Sequence, residues 1–398
     1  MEFIVNMGKD KANMFLRALW SQIRLNLGKG GWNYQPHKVG SNNLIHFGWL
    51  SAEMLKDPLE VSIKYKHKGS IFTISLESSE LQEKEELQKK VEVSIQNAMN
   101  FEPLVNKVNV SSYIKALECP IGTSSGDNFS IHPTDISSLN ILSFSVLGFD
   151  KVDTDSQAQV TLNKILDVLS VETQSVFFYA NHDEKGKTTK IKEIETEDSH
   201  WYGTNRPILN GHFTISKKAK LFIDNIIVEE NEENKRYLNA CRLFHSAHKY
   251  NMLRYEHENL NIPEEFRKLI LPNEEVAAVL YMSALEVASN SIKEKPKKCE
   301  LCGNPIYSIS SRVIKYVQGF EANDYAVKNF YNDRSIYLHT GGFFSDQSYI
   351  GTTIPQLDPS NASGCKSHIP MKNLLSISDV VSFCLRQHLQ DITIGHDN

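Results

Sequence analysis

The chain has 398 residues, with 43 Lys+Arg against 48 Asp+Glu, so its formal net charge is −5. At 40% hydrophobic and 23% charged it has the composition of a folded chain, long enough for two or three domains with a sizeable core; collagen-like, disordered and disulfide-scaffold classes are excluded. The mild acidity excludes a histone-like binder that coats nucleic acid by bulk charge, though not a local basic site, and six Cys are too sparse for a disulfide framework and fit a reducing compartment.

The N-terminus, MEFIVNMGKDKANMF, brings Asp and Lys before any apolar stretch of signal-peptide length, and no run of about 18 apolar residues occurs. A cytoplasmic protein without a membrane partner is expected. Lys11 to Leu27 reads as an amphipathic helix, with Leu16, Leu19, Trp20, Ile23 and Leu27 at helical spacing, stopped by Gly28-Lys29-Gly30-Gly31. That glycine cluster lacks the G-x4-G-K-[ST] spacing of a P-loop and reads as a helix stop. β-type runs follow at Leu59–Tyr65, Ser70–Leu76, Asn140–Leu147, Ser175–Tyr179 and His212–Ile215, with a helix at Ser156–Leu169. Lys84–Lys90 reads as a solvated helix face or loop. Asn181-His182-Asp183 and Ser199-His200-Trp201-Tyr202-Gly203 read as surface turns after strands.

The texture changes near Glu229. Glu230–Asn234 is a polar, acidic boundary, and the chain beyond it is mostly helical: Asn234–Asn259, Glu274–Ile292, Tyr307–Phe320, Asp324–His339 and Leu374–Leu389. Glu274–Ile292 is the most apolar of these yet carries Glu286. The expected organisation is an α+β sensor or regulatory region over 1–230, followed by an all-α domain over 233–398. Phe343–Lys372 is a long polar loop, which in a compact domain needs a function or an anchor.

Cysteine spacing supplies an anchor. Cys299-x2-Cys302-Gly303 is a knuckle in which two thiolates converge on one metal while Gly takes the tight turn. Cys365-x2-His368 lies inside the long loop and provides a second pair. Cys299, Cys302, Cys365 and His368 would hold a structural zinc, since four protein ligands leave no open position. Lys293–Lys298 is a basic loop beside it, read as solvated, with RNA phosphate as the functional alternative.

The remaining constellation is Tyr331-Asn332-Asp333-Arg334-Ser335-Ile336-Tyr337-Leu338-His339-Thr340-Gly341-Gly342. Imidazole titrates near neutrality and serves as general acid or base, and a guanidinium holds phosphate oxygens on two points. On a straight helix, five residues turn through roughly 500°, leaving the Arg334 and His339 side chains about 140° apart; two facing copies of the helix in a homodimer would make a composite cleft. Asp333 is placed to tether Arg334 or Lys328, Ser335 to orient Arg334, and Tyr337 and Tyr331 to fill core or stack a base. Arg242 and His248, with five residues between them, also fit the looser Arg-x4–6-His pattern, and surface helix is expected there.

Arg334-Ser335, three bulky residues and His339-Thr340-Gly341-Gly342 resemble the R-S-x-x-x-H-G-G signature of the HEPN superfamily, nearest its Apea-like anti-phage branch, with Thr340 departing from the usual Gly. Ser283-Ala284-Leu285-Glu286, Ile309–Val313 and Cys241–Tyr250 are similar to other helices of that branch, so the resemblance covers about 233–398. It implies a HEPN-type helical bundle, here with a zinc-bound loop, that pairs as a homodimer or higher oligomer. It also implies a metal-independent endoribonuclease acting on RNA, tRNA among the candidates, in abortive-infection defence with a phage-derived trigger. Arg334 and His339 would be its catalytic residues. The other reading is a non-catalytic binding or oligomerisation module in which both residues are structural.

Overall fold

The computed structural model describes residues 1–40, 43–180, 186–189, 200–203, 205–228, 231–259, 272–292, 297–298, 305–306, 309–322, 324–325, 327–328, 330–331, 334, 338 and 374–394. The chain divides into two compact units, Met1–Asn109 with Val146–Val160, and Val110–Ser145 with Thr161–Asn398.

The first unit runs β1 (Glu2–Met7), α1 (Lys9–Leu27), β2 (Gly30–Val39), β3 (Leu44–Ala52), β4 (Leu59–Lys64), β5 (Ile71–Glu77), α2 (Ser79–Glu83) and α3 (Glu85–Met99). The strands form one antiparallel sheet in the order β1-β5-β4-β3-β2. Phe15, Leu19, Ile23 and Leu27 recur every fourth residue of α1 and are buried with Leu59, Val61, Ile63, Ile74 and Leu76 of the sheet and Leu87, Val91 and Ile95 of α3. Gly28 ends α1 at φ 86°, where a Cβ would sit 2.7 Å from the Glu53 carboxylate, so the expected helix stop is there. The charged stretch 84–90 opens α3, its exposed side laced by Lys89–Glu85 and Lys90–Glu86 pairs. β2 and β3, not expected from the sequence, form a long hairpin. β2 is the sheet's edge, exposed along almost its whole length, with a bulge between Tyr34 and His37 that contains Pro36.

α4 (Lys151–Thr173) starts in this unit, and its first turn is clamped by α1. Asp150 accepts from the Asp153 N–H at 2.8 Å and from Arg24 Nε at 2.7 Å. Arg17, two turns before Arg24, grips Asp153 with two hydrogen bonds of 2.9 Å, and Asp153 also accepts from the Phe149 N–H at 3.0 Å.

The second unit holds β6 (Asn106–Ala116, from Val110 on), β7 (Ser124–Ser125), β8 (Phe129–Pro133), most of β9 (Leu139–Gly148) and β10 (Phe177–Tyr179), a sheet ordered β10-β6-β9-β8-β7. With it go the rest of α4, the ribbon β11 (Ile208–Leu209) and β12 (His212–Phe213), α5 (Lys217–Val228), α6 (Glu232–Asn259), α7 (Pro272–Ala288), β13 (Lys297–Lys298), β14 (Pro305–Ile306), α8 (Ile309–Gly319) and α9 (Leu374–Ile394).

This corrects the expected fold class. The chain is α+β with helices interspersed among strands throughout, and the segment after 233 is not an all-α HEPN-type bundle. β13 and β14 pair within it, and its helices take polar partners from elements before 233. Asp167 of α4 meets His245 of α6 at 2.8 Å, and the Phe177 N–H of β10 donates to the other nitrogen of His245 at 3.3 Å. The Ser382 hydroxyl of α9 donates to the Val171 carbonyl at 2.8 Å. Buried polar groups must find partners, and here those partners lie on α4 and on β10, both before 233. A zinc-bound loop is likewise no part of the described architecture: no group of three or more His, Cys, Asp or Glu suited to a metal occurs among the described residues. No helix among them is long and apolar enough to cross a membrane.

Asp153 is 7% exposed and Arg17 23%. Asp153→Ala leaves a largely buried guanidinium and a backbone N–H without their acceptor, and is expected to destabilise the protein by about 2–4 kcal/mol. A thermal or urea midpoint within error of wild type would rule out the clamp.

Candidate functional site

Arg334 is the described member of the Arg–His constellation. The described residues between 324 and 338 are helical; Asp324 pairs with Lys328 one turn on at 2.8 Å and accepts from Gln318 at 2.7 Å. Tyr331 and Arg334 are three residues apart and share a face; the guanidinium carbon lies 5.8 Å from the Tyr331 ring centroid.

The partner of Arg334 comes from α7. Its buried residues are Ala277, Ala278, Tyr281, Met282, Ala284, Leu285 and Ala288 with Glu275 in the first turn, and Glu286 is its late carboxylate. Arg334 Nη1 donates to Glu286 Oε1 at 2.5 Å and Nη2 to Oε2 at 3.1 Å. Both side chains are mostly buried, 18% and 17% exposed. Burial and the Glu286 carboxylate push the Tyr331 phenol up from its ordinary value, so it stays protonated.

This pairing leaves part of the guanidinium unused. A guanidinium has five N–H donors. The end-on grip of Glu286 takes one from each terminal nitrogen, and the Nε edge keeps its donors. Nε is buried and has no hydrogen-bond partner among the described residues. A buried charged donor without an acceptor is costly, and an anionic oxygen beside Nε would remove that cost. Glu286 thus fixes the guanidinium, with the Tyr331 phenol beside it, and the buried Nε–H is left without an acceptor among the described residues.

His339, Asp333, Ser335 and Tyr337 lie outside the described residues, as do Cys299, Cys302, Cys365 and His368. The strands on either side of Cys299–Asn304 are described. Lys297 pairs with Ile306 and Lys298 with Pro305, so the C-x2-C-G spacing falls on the connection of an antiparallel ribbon, where a knuckle would need it.

Two expectations are corrected. The Arg242/His248 spacing is not surface helix, because His248 is 3% exposed. Its Nε2 donates to the Gln174 carbonyl at 2.8 Å and its Nδ1 accepts from the Tyr281 hydroxyl at 2.9 Å. Both nitrogens are engaged in holding α6 between α7 and the end of α4, which leaves none for chemistry. Trp201 is not part of a surface turn: it is 8% exposed, its ring centroid lies 3.5 Å from the guanidinium carbon of Arg386, and its carbonyl accepts from Arg386 at 2.9 Å. Arg386 is fully buried. Glu172 is buried with it; desolvation raises its carboxyl while Arg386 draws it back down.

Sequence reasoning quoted Glu286 but gave it no role. Its signal was a single carboxylate late in an apolar helix. Comparison with protein-family models, curated proteins and solved structures gives no match.

Burial pulls the His248 imidazole down from 6.5 to about 4. The fold holds the neutral form, so its contribution is full above the unfolded value and is lost as pH falls toward the folded one. Between pH 7 and about 4.5 this amounts to about 2–3 kcal/mol. Urea midpoints of wild type are expected to fall more over that range than those of His248→Gln; equal falls would remove His248 from the account.

Proposed function

We propose that the protein is a metal-independent endoribonuclease of HEPN type acting on RNA, tRNA among its candidate substrates, in anti-phage abortive infection. The observation that carries this reading is the state of Arg334: gripped on one edge by Glu286, beside the Tyr331 ring, with a buried Nε donor left for an anionic oxygen. The resemblance of the Arg334–Gly342 segment to the HEPN signature adds the second residue, His339.

The chemistry follows from the groups. The ribose 2′-OH attacks the neighbouring phosphorus and the P–O5′ bond breaks, giving a 2′,3′-cyclic phosphate and a free 5′-OH. His339 takes the 2′-OH proton or gives one to the departing 5′-oxygen. The Nε edge of Arg334 holds the phosphoryl oxygens as charge builds on them. Glu286 is a positioning residue that sets which edge is presented, and Arg334 with its homodimer counterpart would face a shared cleft. Asp333, Ser335 and Tyr337 support the same segment. Residues 1–230 would sense or regulate, with a phage-derived trigger, in the cytoplasm.

Arg334→Ala and His339→Ala are each expected to lower RNA cleavage by about 100-fold or more. Arg334→Lys is not expected to rescue, because ammonium cannot be held on one edge and bind on the other. Glu286→Gln is expected to lower kcat more than it raises KM. Equal cleavage by wild type and both alanine variants, at matched purity and fold, would sink the assignment.

The same carboxylate grip favours one competing reading, in which Arg334 is a structural cation of a non-catalytic binding or oligomerisation module. Under that reading Glu286→Gln destabilises the protein and no variant changes a cleavage rate.

A structural zinc on Cys299, Cys302, Cys365 and His368 belongs to the proposal; the β13–β14 ribbon flanking the first pair supports it. The metal would tie distant chain segments together and take no part in cleavage. About one zinc per chain is expected in protein purified without chelator, falling on Cys302→Ser; wild type with far less would remove the site.

A further inference from the structure

Residues 1–69 carry ten Lys+Arg against five Asp+Glu, a net of +5 in a chain whose total is −5, so the rest of the chain holds −10. The sheet of the first unit sorts these charges. Met7 pairs with Ile71, Lys64 with Leu44, and Leu44 with Val39. The exit of β1, the β4–β5 loop and the β2–β3 turn therefore lie at one end of the sheet. That end presents Lys9, Lys38, Lys64, Lys66 and Lys68, all exposed. The opposite end, with the β3–β4 connection and the exit of β5, carries Glu53, Asp57, Glu60 and Glu77 beside Lys29 and Lys56, so the two signs are mixed there.

The lysine end is held together locally. The Tyr65 N–H donates to the Asn43 carbonyl at 3.1 Å, joining the β4–β5 loop to the β2–β3 turn. A Cβ on Gly69 would lie 3.1 Å from the Lys9 side chain, joining the same loop to the start of α1. The loop itself is closed by Ser70, whose N–H and hydroxyl both donate to the His67 carbonyl, at 2.9 and 2.7 Å. Lys64 is paired with Glu2 at 3.0 Å. Lys9, Lys38, Lys66 and Lys68 form no ion pair with a described carboxylate. Lys66 Nζ sits 4.0 Å from the centre of the Phe72 ring. Over Lys64-Tyr65-Lys66-His67-Lys68, rings alternate with cations, and no acidic residue occurs between Glu60 and Glu77.

We propose that this lysine end of the first unit binds the backbone of single-stranded nucleic acid. Unpaired cations on three adjoining segments suit successive phosphates. Rings interleaved among them suit unstacked bases, which an acidic protein or a lipid headgroup would not supply. The inference stands apart from RNA cleavage, because it rests on other residues and its test uses a strand that cannot be cleaved by 2′-OH attack.

The test is fluorescence anisotropy of labelled oligo(dT), about twelve nucleotides long, with the full chain across a salt series. Three variants are compared with wild type: Lys9→Gln/Lys66→Gln/Lys68→Gln, a loop-only Lys66→Glu/Lys68→Glu, and a control with the same charge loss, Lys89→Gln/Lys90→Gln/Lys151→Gln. Each phosphate no longer neutralised should lower the slope of log affinity against log salt by about 0.7, so the triple variant is expected to lose about 2 in slope and at least about tenfold in affinity at low salt. The loop-only variant should lose affinity too, and the control should stay within about twofold. Unchanged slope and affinity in both lysine-end variants overturn the proposal. So does the absence of saturable binding by wild type at about 50 mM salt, or lysine-dependent binding to phosphatidylglycerol vesicles with none to oligo(dT).

Discussion

The second unit depends on the saturation of buried polar groups around the last turns of α4. Asp167, Val171 and Gln174 offer oxygens there, and His245 and His248 of α6 and Ser382 of α9 come to meet them. None of these bonds is worth much more than about 1 kcal/mol net, but leaving any one unmade in the interior costs more. That asymmetry fixes where α6 and α9 sit. It also explains why helices that read as a separate domain share a compact unit with the second sheet: their polar partners lie on α4 and the residue just past its end.

The Arg334–Glu286 pair follows from that arrangement. α6 and α7 meet where the Phe244 ring lies 5.5 Å from that of Tyr281 and the Tyr281 hydroxyl reaches His248. Near the end of α7 two guanidiniums are met, Arg334 by the Glu286 carboxylate and Arg312 by the Ser289 hydroxyl at 3.3 Å. Of the two acceptors only Glu286 carries a charge to match the guanidinium it meets. Two partly buried charges of opposite sign do little for net stability, so the pair is better understood through what it orients than through what it holds together.

Much of this was legible in the sequence, in proportion to how local its cause is. The period of α1, its stop at Gly28 and the apolar run of α7 each depend on neighbours in the chain, and each was read. β2 is hidden in the sequence because Gly30, Gly31 and Pro36 are loop-like residues, tolerated here by an edge strand and a bulge. The buried places of His248, Trp201 and Arg386 had no local signal at all; each partner lies dozens of residues away. Arg334 was singled out by its spacing to His339. That its counter-charge would be Glu286 needed the packing of the helix that carries it. The lysine end of the first sheet escaped notice for the same reason, since three separate segments supply its charges and only the register puts them side by side.

β2 has one further consequence. An exposed edge ten residues long is a template on which another strand can grow. Here Pro36 has no N–H to offer, the bulge breaks the spacing of the groups beside it, and Lys38 would meet its own copy in an in-register parallel pairing. The strand that ends the sheet also interrupts its extension, which bears on how concentrated the protein can become before its chains begin to assemble into fibres.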